Sequence, residues 1–146
     1  GVVHGIQDSF KARATGAITV KAVRSGYASL SSLSWQLAPA DTNGAVQRMI
    51  EALMQACMSE GVTRDDIDLF LFHQANLRIN EYIQKMLEIP DDKVVHNIER
   101  YGNTTAATIP LLMAEAERNG KLQRGMKVAA VAFGSGFTWG SAIIDW

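Results

Sequence analysis

One cysteine in 146 residues, Cys57, leaves no second thiol in the chain, which excludes an intramolecular disulfide and favours a reducing compartment. The three histidines and this cysteine have none of the spacings that hold zinc, so no metal is expected. No apolar run approaches the ~20 residues needed to span a bilayer. Gly1-Val2-Val3-His4 also lacks the charged start and long apolar stretch of a signal peptide. These absences together lead us to expect a cytoplasmic protein. A net charge of −1 excludes strong electrostatic attraction to nucleic acid or an anionic membrane. Repeats, low-complexity tracts and runs of like charge are missing too.

What remains is an ordinary globular composition, 47% apolar and 20% charged. A chain of this size forms one domain and buries about 68–70% of the surface it exposes when unfolded. Residues 1–42 carry one recognisable strand, Gly16 to Val23, which is β-branched and apolar. Ser25-Gly26 and the serine-rich stretch Ser29 to Ser34 then read as a loop. We take residues 43–146 as the main domain.

Asp41 or Thr42 can cap a helix in which Val46, Met49, Ile50, Leu53, Met54 and Cys57 recur on one face, with Gly61 as its stop. The methionines within helices (Met49, Met54, Met86 and Met113) read as core packing, and Cys57 as a small buried hydrophobe. Ile67 to Phe72 is a short apolar run suited to a buried strand. A second helix fits Leu77 to Leu87, a strand Val94 to Ile98, and a third helix Thr104 to Asn119, closed by Gly120. Val128 to Phe133 forms a buried strand, Gly134-Ser135-Gly136 a tight turn, and Thr138 to Trp146 the last strand. The expected architecture is α/β: a mostly parallel sheet ending in an antiparallel hairpin, with helices on its faces.

In such a sheet, loops at the C-terminal ends of parallel strands gather function. His73 follows a buried strand directly and opens His73-Gln74-Ala75-Asn76, which allows it to project into a cleft from a fixed backbone; a histidine satisfied by backbone hydrogen bonds is the structural alternative. Asn103 sits in Gly102-Asn103-Thr104-Thr105, where Asn103 or Thr104 also suits a helix cap. The Gly134-Ser135-Gly136 turn is a hairpin by default, but its backbone N–H groups suit an oxyanion. His96, inside a predicted strand, and His4, near the start, carry no motif.

Taken together, three segments resemble one family. Asp68 to Ile79, Arg100 to Pro110 and Phe133 to Ala142 are similar in order and spacing to the histidine, asparagine and glycine-hairpin segments of β-ketoacyl-(acyl carrier protein) synthase III, a thiolase-superfamily condensing enzyme. The resemblance runs from about residue 45 to Trp146 and matches the C-terminal half of that family. It implies the second of two similar α/β halves, with two complete units forming a homodimer. In the family, a cysteine of the first half takes an acyl group from an acyl-CoA. Malonyl-acyl carrier protein then decarboxylates, and its carbanion attacks the acyl-thioester.

By resemblance, His73 and Asn103 are the catalytic pair that complements the cysteine. The backbone N–H of Ser135 is an oxyanion donor, Phe133 lines the cavity wall, and Asn76 binds substrate or orders a water. Arg78 lies where cationic side chains meet the acidic carrier protein; a solvated helix charge is its alternative reading. No cofactor is implied beyond the CoA-thioester and phosphopantetheine-bound substrates. The hairpin reads Gly-Ser-Gly where the family usually has three glycines, and the nucleophilic cysteine is absent. It belongs either to a missing part of the same polypeptide or to a separate subunit. Two other readings are a polyketide or secondary-metabolite acyltransferase and a non-catalytic partner domain. The pairing of His73 with Asn103 argues against the last.

Overall fold

The computed structural model describes residues 10–14, 18–24, 42–134 and 138–146. The loop expected over Ser25 to Ser34, the cap at Asp41 and the turn residue Ser135 lie outside them, as does His4. Five strands form one sheet in the order β1-β2-β5-β4-β3: β1 (Phe10–Ala14), β2 (Ile18–Arg24), β3 (Leu69–Phe72), β4 (Lys127–Gly134) and β5 (Thr138–Asp145). Among the described residues four α-helices accompany it: α1 (Thr42–Glu60), α2 (Leu77–Met86), α3 (Ile98–Tyr101) and α4 (Thr108–Arg118).

The period-two alternation of the central strands builds two cores, one on each face of the sheet. Phe70, Phe72, Ala129, Val131 and Ile143 point to one face, where Val46, Met49, Leu53 and Cys57 of α1 and Ile83 of α2 cover them. Leu69, Leu71, Val128, Ala130 and Ile144 point to the other, against Leu112 and Ala116 of α4. Burying an aromatic or leucine side chain fully is worth about 1.5–3 kcal/mol, and Phe70, Phe72, Leu69 and Leu71 are all at most 1% exposed. The buried hydroxyl of Ser141 donates to the Ala52 carbonyl at 2.6 Å and ties β5 to α1.

α1 ends where expected. Gly61 adopts φ +66°, its N–H bonds to the Met58 carbonyl, and the Val62 N–H bonds to the Cys57 carbonyl, so two of the last free carbonyls are satisfied.

Five expectations are corrected. The sheet is mixed rather than mostly parallel: β3·β4 is parallel, whereas β1·β2, β2·β5 and β5·β4 are antiparallel. The short links from β1 to β2 and from β4 to β5 leave room only for a reversal. Second, the described residues of the first forty-two form two strands where one was expected, and β2 pairs with β5.

Third, Val94 to Ile98 is not a strand. Only Val94 bridges to Phe70, and the chain turns at Asn97 into α3. Fourth, the third expected helix starts at Thr108 instead of Thr104. Pro110 has no N–H to give and suits a first turn, so a helix already two turns old at that point is disfavoured. Fifth, Met54 and Met86 are exposed by 43% and 57% rather than packed in the core. Ile50 already sits at the edge of the α1 stripe, and Met54 lies about 40° further round the helix. No described helix is long and apolar enough to cross a membrane.

Candidate active site

An open cavity of about 430 Å³ lies at one end of the sheet, lined among others by His73, Asn103, Thr105, Thr108, Phe133 and Trp139. The sequence placed His73 and Asn103 in separate segments; the fold brings them to one wall.

His73 is held through its backbone. Its N–H donates to the Val131 carbonyl at 2.9 Å, extending the β3·β4 pairing by one residue. Its carbonyl accepts from the Ala75 N–H at 3.0 Å and from the Asn80 amide at 3.2 Å, and Asn80 is buried on α2. The next residue, Gln74, is fully buried: its amide N–H donates to the Phe72 carbonyl and its Oε1 accepts the Asn97 N–H. The ring is half-buried, and its Nδ1 lies 2.5 Å from Oγ1 of Thr108. Burial pushes the imidazole pKa down, so the ring tends to neutrality.

A polar chain behind the cavity locks the asparagine segment to the same scaffold. Asn97, itself buried, donates to Glu115 of α4 at 3.0 Å, and Glu115 pairs with Arg100 at 2.5 Å. The Asn97 amide, with Arg100 beside it, holds the Glu115 carboxyl below the usual range. From Gln74 through Asn97 to Glu115, the histidine loop and the asparagine loop therefore share one set of anchors.

Gly102 then reverses the chain at φ +65°, ψ −161°, a conformation in which a side chain is strained. Asn103 follows, and its Oδ1 accepts the Thr105 N–H at 2.8 Å. This turn places Thr105 at φ +54°, an outlier for a β-branched residue, and such strain concentrates at functional sites. With Oδ1 engaged, the Nδ2 donors of Asn103, unpartnered among the described residues, are what it can offer the cavity.

The other predicted residues divide. Phe133 lines the cavity. Asn76 caps α2, its Oδ1 accepting the Arg78 N–H at 3.0 Å, and Arg78 is exposed on that helix; neither is among the cavity-lining residues. Ser135 is outside the described residues. Sequence reasoning missed Thr108 and Trp139. The Trp139 ring is covered by Arg48 of α1, whose guanidinium carbon lies 5.2 Å from the ring centre. Cys57 is 3% exposed in the core on α1, and burial, with Asp66 adding to it, raises its thiol pKa.

Residues 57–146 match the family described as 3-oxoacyl-[acyl-carrier-protein (ACP)] synthase III, C terminal. The chain belongs to that family. A β-ketoacyl-[acyl-carrier-protein] synthase III of Acaryochloris marina is 45% identical over 102 residues, which are 70% of this chain and 31% of that protein. The solved 3-oxoacyl-[acyl-carrier-protein] synthase III of Aquifex aeolicus superposes with a TM-score of 0.71 at 38% identity, over 73% of this chain and 34% of that one. The solved β-ketoacyl-[acyl carrier protein] synthase III of Thermus thermophilus gives 0.73 at 32% identity, over 88% of this chain and 45% of that one. The chain thus spans about a third of the length of the curated synthase III relatives it matches. The likeness confirms a thiolase-like C-terminal α/β unit.

Proposed function

We propose that this chain is the decarboxylating part of a condensing enzyme that joins an acyl group from acyl-CoA to malonyl-acyl carrier protein in fatty acid initiation. The observation that carries the reading is the convergence of His73 and Asn103 on one cavity, with Nδ1 of His73 against the Thr108 hydroxyl and Oδ1 of Asn103 accepting the Thr105 N–H. When the malonyl carboxylate leaves as carbon dioxide, the electron pair of the broken C–C bond moves onto the thioester carbonyl and gives an enolate. An imidazole N–H and an amide N–H aimed at that oxygen stabilise the charge in a half-buried site, where hydrogen bonds are strong. The enolate carbon then attacks the acyl-thioester carbon, the C–S bond breaks, and the thiolate is restored.

That thiolate is not Cys57. A buried thiol near the C-terminal end of a helix is disfavoured as a thiolate by both desolvation and the helix dipole. The nucleophile belongs to the rest of the enzyme, whose complete units pair as a homodimer. In this reading the Ser135 backbone N–H stabilises the oxyanion of the acyl-transfer step, Phe133 walls the acyl site, and Arg78 meets the acidic carrier protein. Asn76 supports the helix that carries Arg78. Substrates arrive as CoA and phosphopantetheine thioesters, no further cofactor takes part, and the setting is the cytoplasm.

Intact-protein mass spectrometry after incubation with acetyl-CoA tests the assignment of the nucleophile. The isolated chain should gain no acetyl group, and the complete enzyme should gain one, on a cysteine outside these 146 residues. A stable adduct on Cys57, with turnover lost in Cys57→Ser, overturns the reading.

A further inference from the structure

A neutral imidazole carries a single N–H, and which nitrogen holds it decides whether His73 offers the cavity a proton or a lone pair. The structure bears on that choice through Thr108, the first residue of α4. Its Oγ1 lies 2.5 Å from Nδ1 of His73, across 35 residues of sequence. Thr108 borders the cavity but is only 2% exposed, so its hydroxyl has little access to water. A helical threonine often gives its proton to a carbonyl one turn back. Among the described residues Thr108 makes no such bond, and Nδ1 is the partner its hydroxyl has.

We propose that Thr108 donates its hydroxyl proton to Nδ1 of His73 and so holds the imidazole as the Nε2–H tautomer, the form that donates into the cavity. The alternatives each leave something unsatisfied. If Nδ1 carries the proton and donates to Thr108, the buried hydroxyl hydrogen has no acceptor among the described residues, and Nε2 presents a lone pair toward developing negative charge. An imidazolium orphans the same hydroxyl hydrogen. Thr108 therefore favours the neutral ring, in the same direction as the burial of His73.

Thr108 is thus a positioning residue, doing for His73 what the Thr105 N–H does for Asn103. One turn of chain orients both donors. The inference rests on the reading of His73 as a donor to the enolate, but the tautomer can be measured without reference to activity.

The experiment is ring-nitrogen NMR of the complete enzyme with ¹⁵N-labelled histidine, His73 being assigned by difference from His73→Gln. Wild type should show a protonated Nε2 and an unprotonated, hydrogen-bonded Nδ1 near neutral pH. Thr108→Val keeps the shape and removes the hydroxyl. It should mix the tautomers, lower malonyl decarboxylation roughly ten- to a hundredfold, as losses of histidine-orienting partners commonly do, and move the acid limb of the pH–rate profile to higher pH. Thr108→Ser should restore all three. A proton on Nδ1 in wild type overturns the proposal and needs no variant to fold. An unchanged tautomer and rate in Thr108→Val overturns it as well. Undiminished decarboxylation in His73→Ala would instead sink the donor reading and leave the tautomer assignment standing.

Discussion

His73 and His96 are two half-buried imidazoles with their pKa values pushed down by burial, and they differ in everything else. His73 has a backbone bonded on both sides and a hydroxyl against Nδ1, and it lines a cavity beside Phe133 and Trp139. Among the described residues neither ring nitrogen of His96 has a hydrogen-bond partner, and its cavity is lined by Glu81, Gln84, Lys85, Glu88 and Asp91 among others. The contrast separates a poised group from an uncompensated one. A shifted pKa marks both; only the built surroundings distinguish them.

The largest way to sharpen that contrast is at His73's neighbour in the cavity. Asn103→Ala in the complete enzyme should lower malonyl decarboxylation on the order of 10²–10³-fold, with the melting temperature close to wild type. A loss of stability as large as the loss of rate would make Asn103 a structural turn residue instead.

At His96 the effect should be on stability, and of opposite sign. His96→Leu removes two unpartnered buried nitrogens and should stabilise the fold by about 1–2 kcal/mol, read from urea unfolding, with decarboxylation unchanged. The same variant tests the pH dependence. Because burial holds both imidazoles below the ordinary value of about 6.5, there is a window just beneath it where the unfolded chain binds protons the folded chain refuses. Stability is therefore full above that value and falls as pH drops through the window. For His96, Glu81 and Glu99 partly offset burial and narrow the window. His96→Leu should flatten the decline while leaving the share due to His73; an unaltered slope would show that His96 is already solvated.

His73 and Asn103 were picked out together through the resemblance of three long segments to one family; taken singly, a histidine satisfied by backbone bonds and a helix cap suited them as well. Thr108 was hidden by a helix drawn from Thr104, which made it an interior residue; Pro110 was the available sign that the helix starts later. The contact from Thr108 to His73 spans 35 residues and leaves no local pattern.

Strand β1 had a signal, the alternation of Phe10-Lys11-Ala12-Arg13-Ala14. Val94 to Ile98 misled for the converse reason: the run is apolar enough for a strand, but only Val94 finds a partner. Apolar pattern reports burial, while strand identity needs a neighbour.

The smallest expected effect lies outside both cavities. Arg78 is exposed on α2, and surface charges are worth little singly. Arg78→Glu should raise KM for the malonyl-carrier substrate by about two- to tenfold at low salt and leave acyl-CoA loading intact. The effect should shrink as ionic strength rises; a KM indifferent to the substitution returns Arg78 to a solvated helix face.

The most direct test of the central claim is carbon dioxide release from malonyl-acyl carrier protein by the complete enzyme carrying His73→Ala, beside His96→Ala as its control. If the cavity at the sheet end stabilises the enolate, His73→Ala should lose on the order of 10²–10³ in rate while His96→Ala keeps it. Wild-type release from His73→Ala would contradict the account.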